Sequence, residues 1–164
     1  MKFKNFGLLE IIVILSGVYV ISMLIWTAST RSAVEAKANL VRDNHNKVVE
    51  LINNEINKCD RAEDDALTIW NDPCKGEWIA SKVTSYINKN LNIENPFSDD
   101  TEVKTDPDPR IKAEGRAGQS VEMGVIFLMS SNFSPDPGSE WIVGTCFKSP
   151  CVAAGNNELT SIYR

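Results

Sequence analysis

Residues Leu8 to Ala28 read LLEIIVILSGVYVISMLIWTA, a run of 21 residues with one formal charge, Glu10. A helix of that length, rising about 1.5 Å per residue, spans about 30 Å, the thickness of a bilayer's hydrocarbon core. Lys2 and Lys4 precede the run and Arg31 follows it. Of the chain's net charge of −5, the first seven residues carry +2, the apolar run −1 and residues 31–164 the remaining −6. The positive-inside tendency keeps the short basic end in the cytoplasm and sends the acidic remainder outside. The mean hydropathy of −0.19 hides this segregation. A secretory signal peptide also starts basic and apolar, and Ala28-Ser29 offers a small-residue cut. Its apolar core, however, is about 7–15 residues, shorter than the run seen here.

Glu10 stands out within this segment. A carboxylate inside hydrocarbon costs several kcal/mol and is rarely kept without a partner. Two readings follow from local physics. In one, Glu10 lies near enough to the cytoplasmic interface to reach water. In the other, it meets a cation on a neighbouring chain.

A short basic leader, then Phe6-Gly7-Leu8-Leu9-Glu10, then an unbroken apolar helix, resembles the amino end of type IV pilins and pseudopilins. In that family a prepilin peptidase cuts before an aromatic or apolar residue, and a glutamate stands at the fifth mature position. The resemblance implies cleavage between Asn5 and Phe6, N-methylation of Phe6, and an assembly role for Glu10. That role is pairing with the terminal amine of an adjacent subunit, where two charges desolvated together cost less than either alone. The family normally has glycine before the cut, and this chain has Asn5 there. A cut after Gly7 would begin the chain at Leu8 and leave Glu10 only third, so the Asn5/Phe6 junction keeps the glutamate spacing. The proline common in the second half of the pilin helix is missing, so no kink is expected. The implied organisation is a leader at 1–5, a transmembrane and assembly half-helix at 6–30, and an extracytoplasmic domain at 31–164.

No Gly or Pro interrupts the chain between Val18 and Cys59, so the helix is expected to continue beyond the membrane. Val34, Ala38, Val41, His45, Val48, Ile52, Ile56 and Cys59 recur every three or four residues, and Leu40, Val49 and Leu51 widen the stripe. Glu35, Lys37, Arg42, Asp43, Lys47, Glu50, Asn53, Asn54 and Lys58 line the opposite face. One helix from Leu8 to Lys58 would be about 75 Å long. His45, the single histidine, falls on the apolar stripe, where a packed, hydrogen-bonded core residue is the expectation. Asn44-His45, Cys59 and the later Asn95-Pro96-Phe97 also resemble a subgroup of pilins.

Residues 60–76 read as a polar, acidic loop, with Glu63-Asp64-Asp65 a solvated patch. A second amphipathic helix is expected at Glu77–Asn90, with Trp78, Ile79, Val83, Tyr86 and Ile87 inward. Asn95–Gly118 is rich in Pro, Gly and Asp and reads as loop, with a short strand at Arg110–Ala113. Beyond it the period changes to two. Ser120–Met129, Glu140–Phe147 and Glu158–Arg164 read as strands separated by turns such as Ser134–Gly138. The fold class expected is α+β: a long N-terminal α-helix, transmembrane in its first half, packed on a small antiparallel β-sheet in a pilin-like layout.

Four cysteines, an even number, suit disulfides in an oxidising compartment. Three connectivities are open to them. One joins Cys59 to Cys74 and Cys146 to Cys151, and the second of these bridges resembles the surface loop that pilins close near the carboxyl end. Neither cysteine pair has the spacing of a zinc site. Asp99, Asp100, Glu102, Asp106 and Asp108 lack an EF-hand pattern and read as a solvated loop. No metal or cofactor is therefore expected. A pI near 4.9, with Lys104, Arg110, Lys112 and Arg116 nearly cancelled by neighbouring acids, argues against nucleic acid. Trp70, Trp78 and Trp141 are expected in the core or a subunit interface. No nucleophile–base arrangement or carboxylate pair points to an enzyme.

The resemblance implies a structural subunit of a type IV pilus-like filament, polymerising through its hydrophobic N-terminal helix. Its partners would be copies of itself or other pilins, the prepilin peptidase and the inner membrane. It would lie in the bacterial inner membrane as a precursor, then in an extracellular pilus or periplasmic pseudopilus. The alternative is a single-pass, membrane-anchored extracytoplasmic binding domain that never polymerises.

Overall fold

The computed structural model describes residues 7–61, 80–99, 103–115, 122–130 and 140–163. Three helices and four strands follow one another as α1 (Leu8–Asp60), α2 (Ala80–Asn90), β1 (Lys104–Thr105), α3 (Pro109–Glu114), β2 (Ile126–Ser130), β3 (Glu140–Cys146) and β4 (Asn157–Tyr163). The chain divides into two compact units, Met1–Ala36 and Lys37–Arg164.

In the first unit the apolar side chains of α1 from Ile11 to Trp26 are exposed all round. Among the described residues this is the one helix long and apolar enough to cross a membrane. A helix is the form that satisfies its backbone where water is absent, and here it satisfies hydroxyls too. Ser16 donates to the Val13 carbonyl at 2.9 Å, Ser22 to Val18 at 2.8 Å, Thr27 to Leu24 at 3.0 Å and Thr30 to Trp26 at 3.0 Å. Each polar side chain is thereby folded back onto the helix that carries it.

In the second unit, α1 buries the stripe that its periodicity predicts: Ala38, Val41, His45, Val48, Ile52 and Ile56. Leu40 stays exposed, so the stripe is narrower than the sequence pattern allows, and Val34, in the first unit, is exposed as well. Val48, Ile52 and Ile56 meet Val83 and Ile87 of α2 and one face of the sheet. Ala38 and Val41 pack with Phe147, and Phe97 closes over them.

The sheet order is β1-β2-β3-β4. β2, β3 and β4 form the expected antiparallel set, with Leu128 opposite Val143 and Val143 opposite Thr160. β1 runs parallel to β2, so the sheet is mixed and not purely antiparallel. A two-residue strand is too short to show a period, which is why Asn95–Gly118 reads as loop in sequence. Side chains alternate between the two faces of each strand. Ile126, Leu128, Trp141, Val143 and Ile162 point to α1 and α2, and Trp141 is a core residue. Phe127 and Gly144, paired across the strands, face the other way, toward α3. Strand β3 is consequently buried on both faces.

The strand expected at Arg110–Ala113 is instead the middle of α3. Its ends explain the difference. The Asp108 carboxylate accepts the Arg110 N–H at 3.1 Å, Pro109 opens the first turn with its φ already helical, and Gly115 at φ 67° closes the last. β2 also starts later than expected, because Gly124 at φ 81° turns the chain just before it. Added at Gly124, a Cβ would lie 2.0 Å from the Asn95 side-chain oxygen. Asn95 accepts from the Phe97 N–H and donates to the Met123 carbonyl, each at 3.0 Å, clipping the 95–97 turn to the approach to β2. Residues 62–79, with Trp70 and Trp78, and the turn at 134–138 lie outside the described residues.

Gly144 sits where α3 meets the sheet, and a Cβ there would lie 2.6 Å from the Pro109 carbonyl oxygen. That contact is backbone and cannot swing aside. Gly144→Ala should therefore cost about 1–3 kcal/mol, measured as a lowered urea midpoint by tryptophan fluorescence of the full chain in detergent micelles.

Candidate functional site

Among the described residues singled out by sequence are Glu10 at the amino end of α1, Cys146 and Cys151 at the end of β3 and after it, and His45 within α1. At the amino end Gly7 is the cap and Glu10 the third helical residue. The Gly7 N–H donates to Glu10 Oε2 at 3.2 Å, while the Gly7 carbonyl accepts from the backbone N–H groups of Glu10 and Ile11 at 3.0 and 3.3 Å. This is one half of a capping box, in which the third helical residue reaches back to an otherwise unsatisfied N–H. The carboxylate also lies at the positive end of the helix dipole. Glu10 is exposed. Asn5 and Phe6 lie outside the described residues.

After β3, Cys146 and Cys151 are joined in a disulfide with their Cα atoms 5.4 Å apart. Both are buried, and Val152, just beyond the short loop they close, is exposed. The Phe147 and Lys148 N–H groups donate to the Asn156 carbonyl at 2.7 and 3.2 Å. The Asn156 side chain returns a bond to the Pro150 carbonyl at 2.9 Å, and that of Asn157 bonds the Cys151 carbonyl. Arg42 of α1 stacks 4.8 Å from the Phe147 ring and reaches the Gly155 carbonyl at 3.4 Å. The loop is held on three sides: by its disulfide, by its asparagines and by α1. Cys74 and the Cys59 side chain lie outside the described residues.

Beneath this loop His45 is fully buried between α1 and the sheet. Its Nδ1 lies 2.9 Å from Thr145 Oγ1 and its Nε2 2.9 Å from Thr160 Oγ1. Burial lowers its pKa from 6.5 to about 4, so the ring is neutral at pH 7. One ring nitrogen then donates to one threonine hydroxyl while the other accepts from its partner. Next to it, Asn44 is buried and donates to the Glu94 carbonyl at 2.9 Å. The histidine signal was readable from sequence. The threonines were not, because two hydroxyls on separate strands carry no spacing that marks them as a pair.

Of the acidic and basic clusters, Asp100, Glu102 and Arg116 lie outside the described residues, and several of the others engage in local structure. Asp106 accepts the Asp108 N–H at 2.8 Å, and Asp108 caps α3. Lys104 pairs with Glu122 at 2.5 Å and Arg110 with Glu140 at 3.8 Å, while Lys112 lies over the Phe127 ring at 5.7 Å. Among the described residues no three His, Cys, Asp or Glu side chains gather as metal ligands do. No family model, curated protein or solved structure matches this chain.

The disulfide closes a short loop, and its removal should release chain entropy worth about 2 kcal/mol in the unfolded state. The double variant Cys146→Ser/Cys151→Ser is expected to lose about that much stability in urea titrations under non-reducing conditions. The same loss should appear in the parent chain after reduction.

Proposed function

We propose that this chain is a type IV pilin-like subunit that assembles into a filament through the apolar part of α1. The observation that carries the reading is α1 itself. It offers a membrane-length apolar surface with one acid near its start, and from Ala38 onward it becomes the core helix of a small α+β unit. In the proposed mechanism the subunit waits in the inner membrane with lipid around Ile11–Trp26. Cleavage between Asn5 and Phe6 then frees an amine, and helices from many copies replace lipid with one another's side chains. Glu10 sets the register by pairing with the amine of an adjacent copy, so that two charges leave water together. The sheet and the Cys146–Cys151 loop face outward.

A second reading, an anchored domain that stays a single-pass protein, draws support from the Gly7–Glu10 hydrogen bond. That contact gives the carboxylate a partner within its own chain. Asn5, in place of the glycine expected before the cut, favours it as well.

Mass spectrometry of the mature amino terminus separates the two. N-methylated Phe6 supports the filament subunit, an intact Met1 supports the anchor, and a start near Thr30 marks a signal peptide and overturns both. Glu10→Leu provides the mechanistic test. Membrane insertion should be unchanged and incorporation into sheared filaments should fall at least tenfold, and normal filaments from this variant would rule out the pairing.

A further inference from the structure

We propose that His45 is an acid-released latch, which in its neutral form ties α1 to β3 and β4 and on protonation loosens β4 and the 147–156 loop from the helix. The latch lies wholly within the second compact unit, and its action does not depend on whether the chain forms filaments.

The contacts define it. A single imidazole supplies hydrogen bonds from α1 to both of the last two strands, Thr145 on β3 and Thr160 on β4, each at 2.9 Å. Those bonds require a ring with one donor and one acceptor nitrogen. An imidazolium has two donors, so the hydroxyl that had been donating must turn its proton elsewhere. Where the donor is Thr145, which is fully buried, that proton has little room; where it is Thr160, the half-buried hydroxyl must turn away from the ring. The Phe147 ring meets the imidazole edge-on, with centroids 6.2 Å apart, and Arg42 stacks on the same Phe147 ring. A displaced imidazole therefore disturbs Phe147, the first residue of the disulfide loop, together with the arginine that holds the loop to α1.

The charged groups around the ring oppose each other. On β4, Glu158 Oε1 lies 4.0 Å from Nε2 and favours a proton on the ring, but the Glu158 side chain is more than a third exposed and water screens it. On α1, the Arg42 guanidinium across Phe147 disfavours one. β3 contributes the Thr145 hydroxyl. Burial outweighs the glutamate, and the neutral ring is the folded form at pH 7.

The direction with pH follows. The folded ring binds its proton only near pH 4, whereas a released ring binds it near 6.5. The released form therefore gains protons first as pH falls. The latch is at full strength above about pH 6.5, and weakens progressively from there to about pH 4. Between pH 7 and pH 5 the opening equilibrium should rise on the order of twenty-fold.

Hydrogen exchange of the full chain in detergent micelles, read by mass spectrometry and corrected for intrinsic exchange chemistry, tests the proposal. Peptides covering 140–163 should open about twenty-fold more at pH 5 than at pH 7, while those of α2 change less than threefold. In His45→Gln, which does not titrate, the rise should vanish. A wild-type chain flat over this range overturns the latch, as does a His45→Gln chain that keeps the acid response. Because the chain holds one histidine, the imidazole can also be followed directly by NMR, whether or not the variant folds. A ring that titrates near 6.5 in the folded chain overturns the proposal, and one still neutral at pH 5 supports it.

Discussion

The docking of the α1 stripe onto one face of the sheet is the contact on which the second unit depends. Val48, Ile52 and Ile56 supply the apolar surface against which Leu128, Val143, Trp141 and Ile162 close, and α2 adds Val83 and Ile87 from the side. Burying side chains of this kind contributes about 1.5–3 kcal/mol each relative to exposure, an upper range because the unfolded chain already hides part of that surface. Everything peripheral is fixed relative to this contact. α3 reaches the opposite face only because Gly144 has no side chain, and the disulfide loop rests through Phe147 on Arg42 of the same helix α1. Removing the stripe would leave the sheet with one uncovered face and no reason to hold its register.

Much of this was legible in the residue order, and the reason is length. A pattern with period 3.6 that repeats from Ala38 to Ile56 is hard to mistake, and the aromatic and β-branched run Trp141-Ile142-Val143 marks β3 nearly as plainly, although a strand buried on both faces does not alternate. The failures share a different cause. α3 has six residues and β1 has two, too few for either period to register, so their signals lay in punctuation. The sequence Asp108-Pro109 followed by Gly115 carries a start and a stop, and reading those caps would have replaced the strand expected at 110–113 with a helix. Leu40 shows the opposite error: an apolar residue beside a stripe was counted as part of it, although the sheet covers only a narrower arc.

The polar interior shows why the candidate site was only half visible. His45 announces itself, because it sits in an apolar stripe and demands a partner once buried, whereas Asn44 and Asn95 stood out only through the resemblance to a subgroup of pilins. Their partners are a backbone carbonyl for Asn44, a carbonyl and an amide N–H for Asn95, and two threonine hydroxyls for His45. Backbone groups have no residue identity, and threonine is common in strands for its own reasons. The need was written in the sequence and the answer was not. It came from the register that sets Thr145 and Thr160 on the same face of adjacent strands.

Glu10 would pose the same question in a membrane, a medium without water. The first N–H groups of any helix lack partners within it, and in hydrocarbon each such group costs several kcal/mol. A carboxylate at the third helical position answers two needs at once, since it accepts the Gly7 N–H and places negative charge at the positive end of the dipole. A single acid is thus less anomalous at this position than anywhere deeper in α1, where no free N–H would await it. Local capping engages one of its two oxygens and leaves the net charge uncancelled. The remaining demand is for a cation, and the described residues nearest in sequence, Gly7 to Trp26, include none. Capping accounts for the position of Glu10 in the helix, whereas neutralising its charge, were α1 to cross a membrane, would take a group outside Gly7 to Trp26.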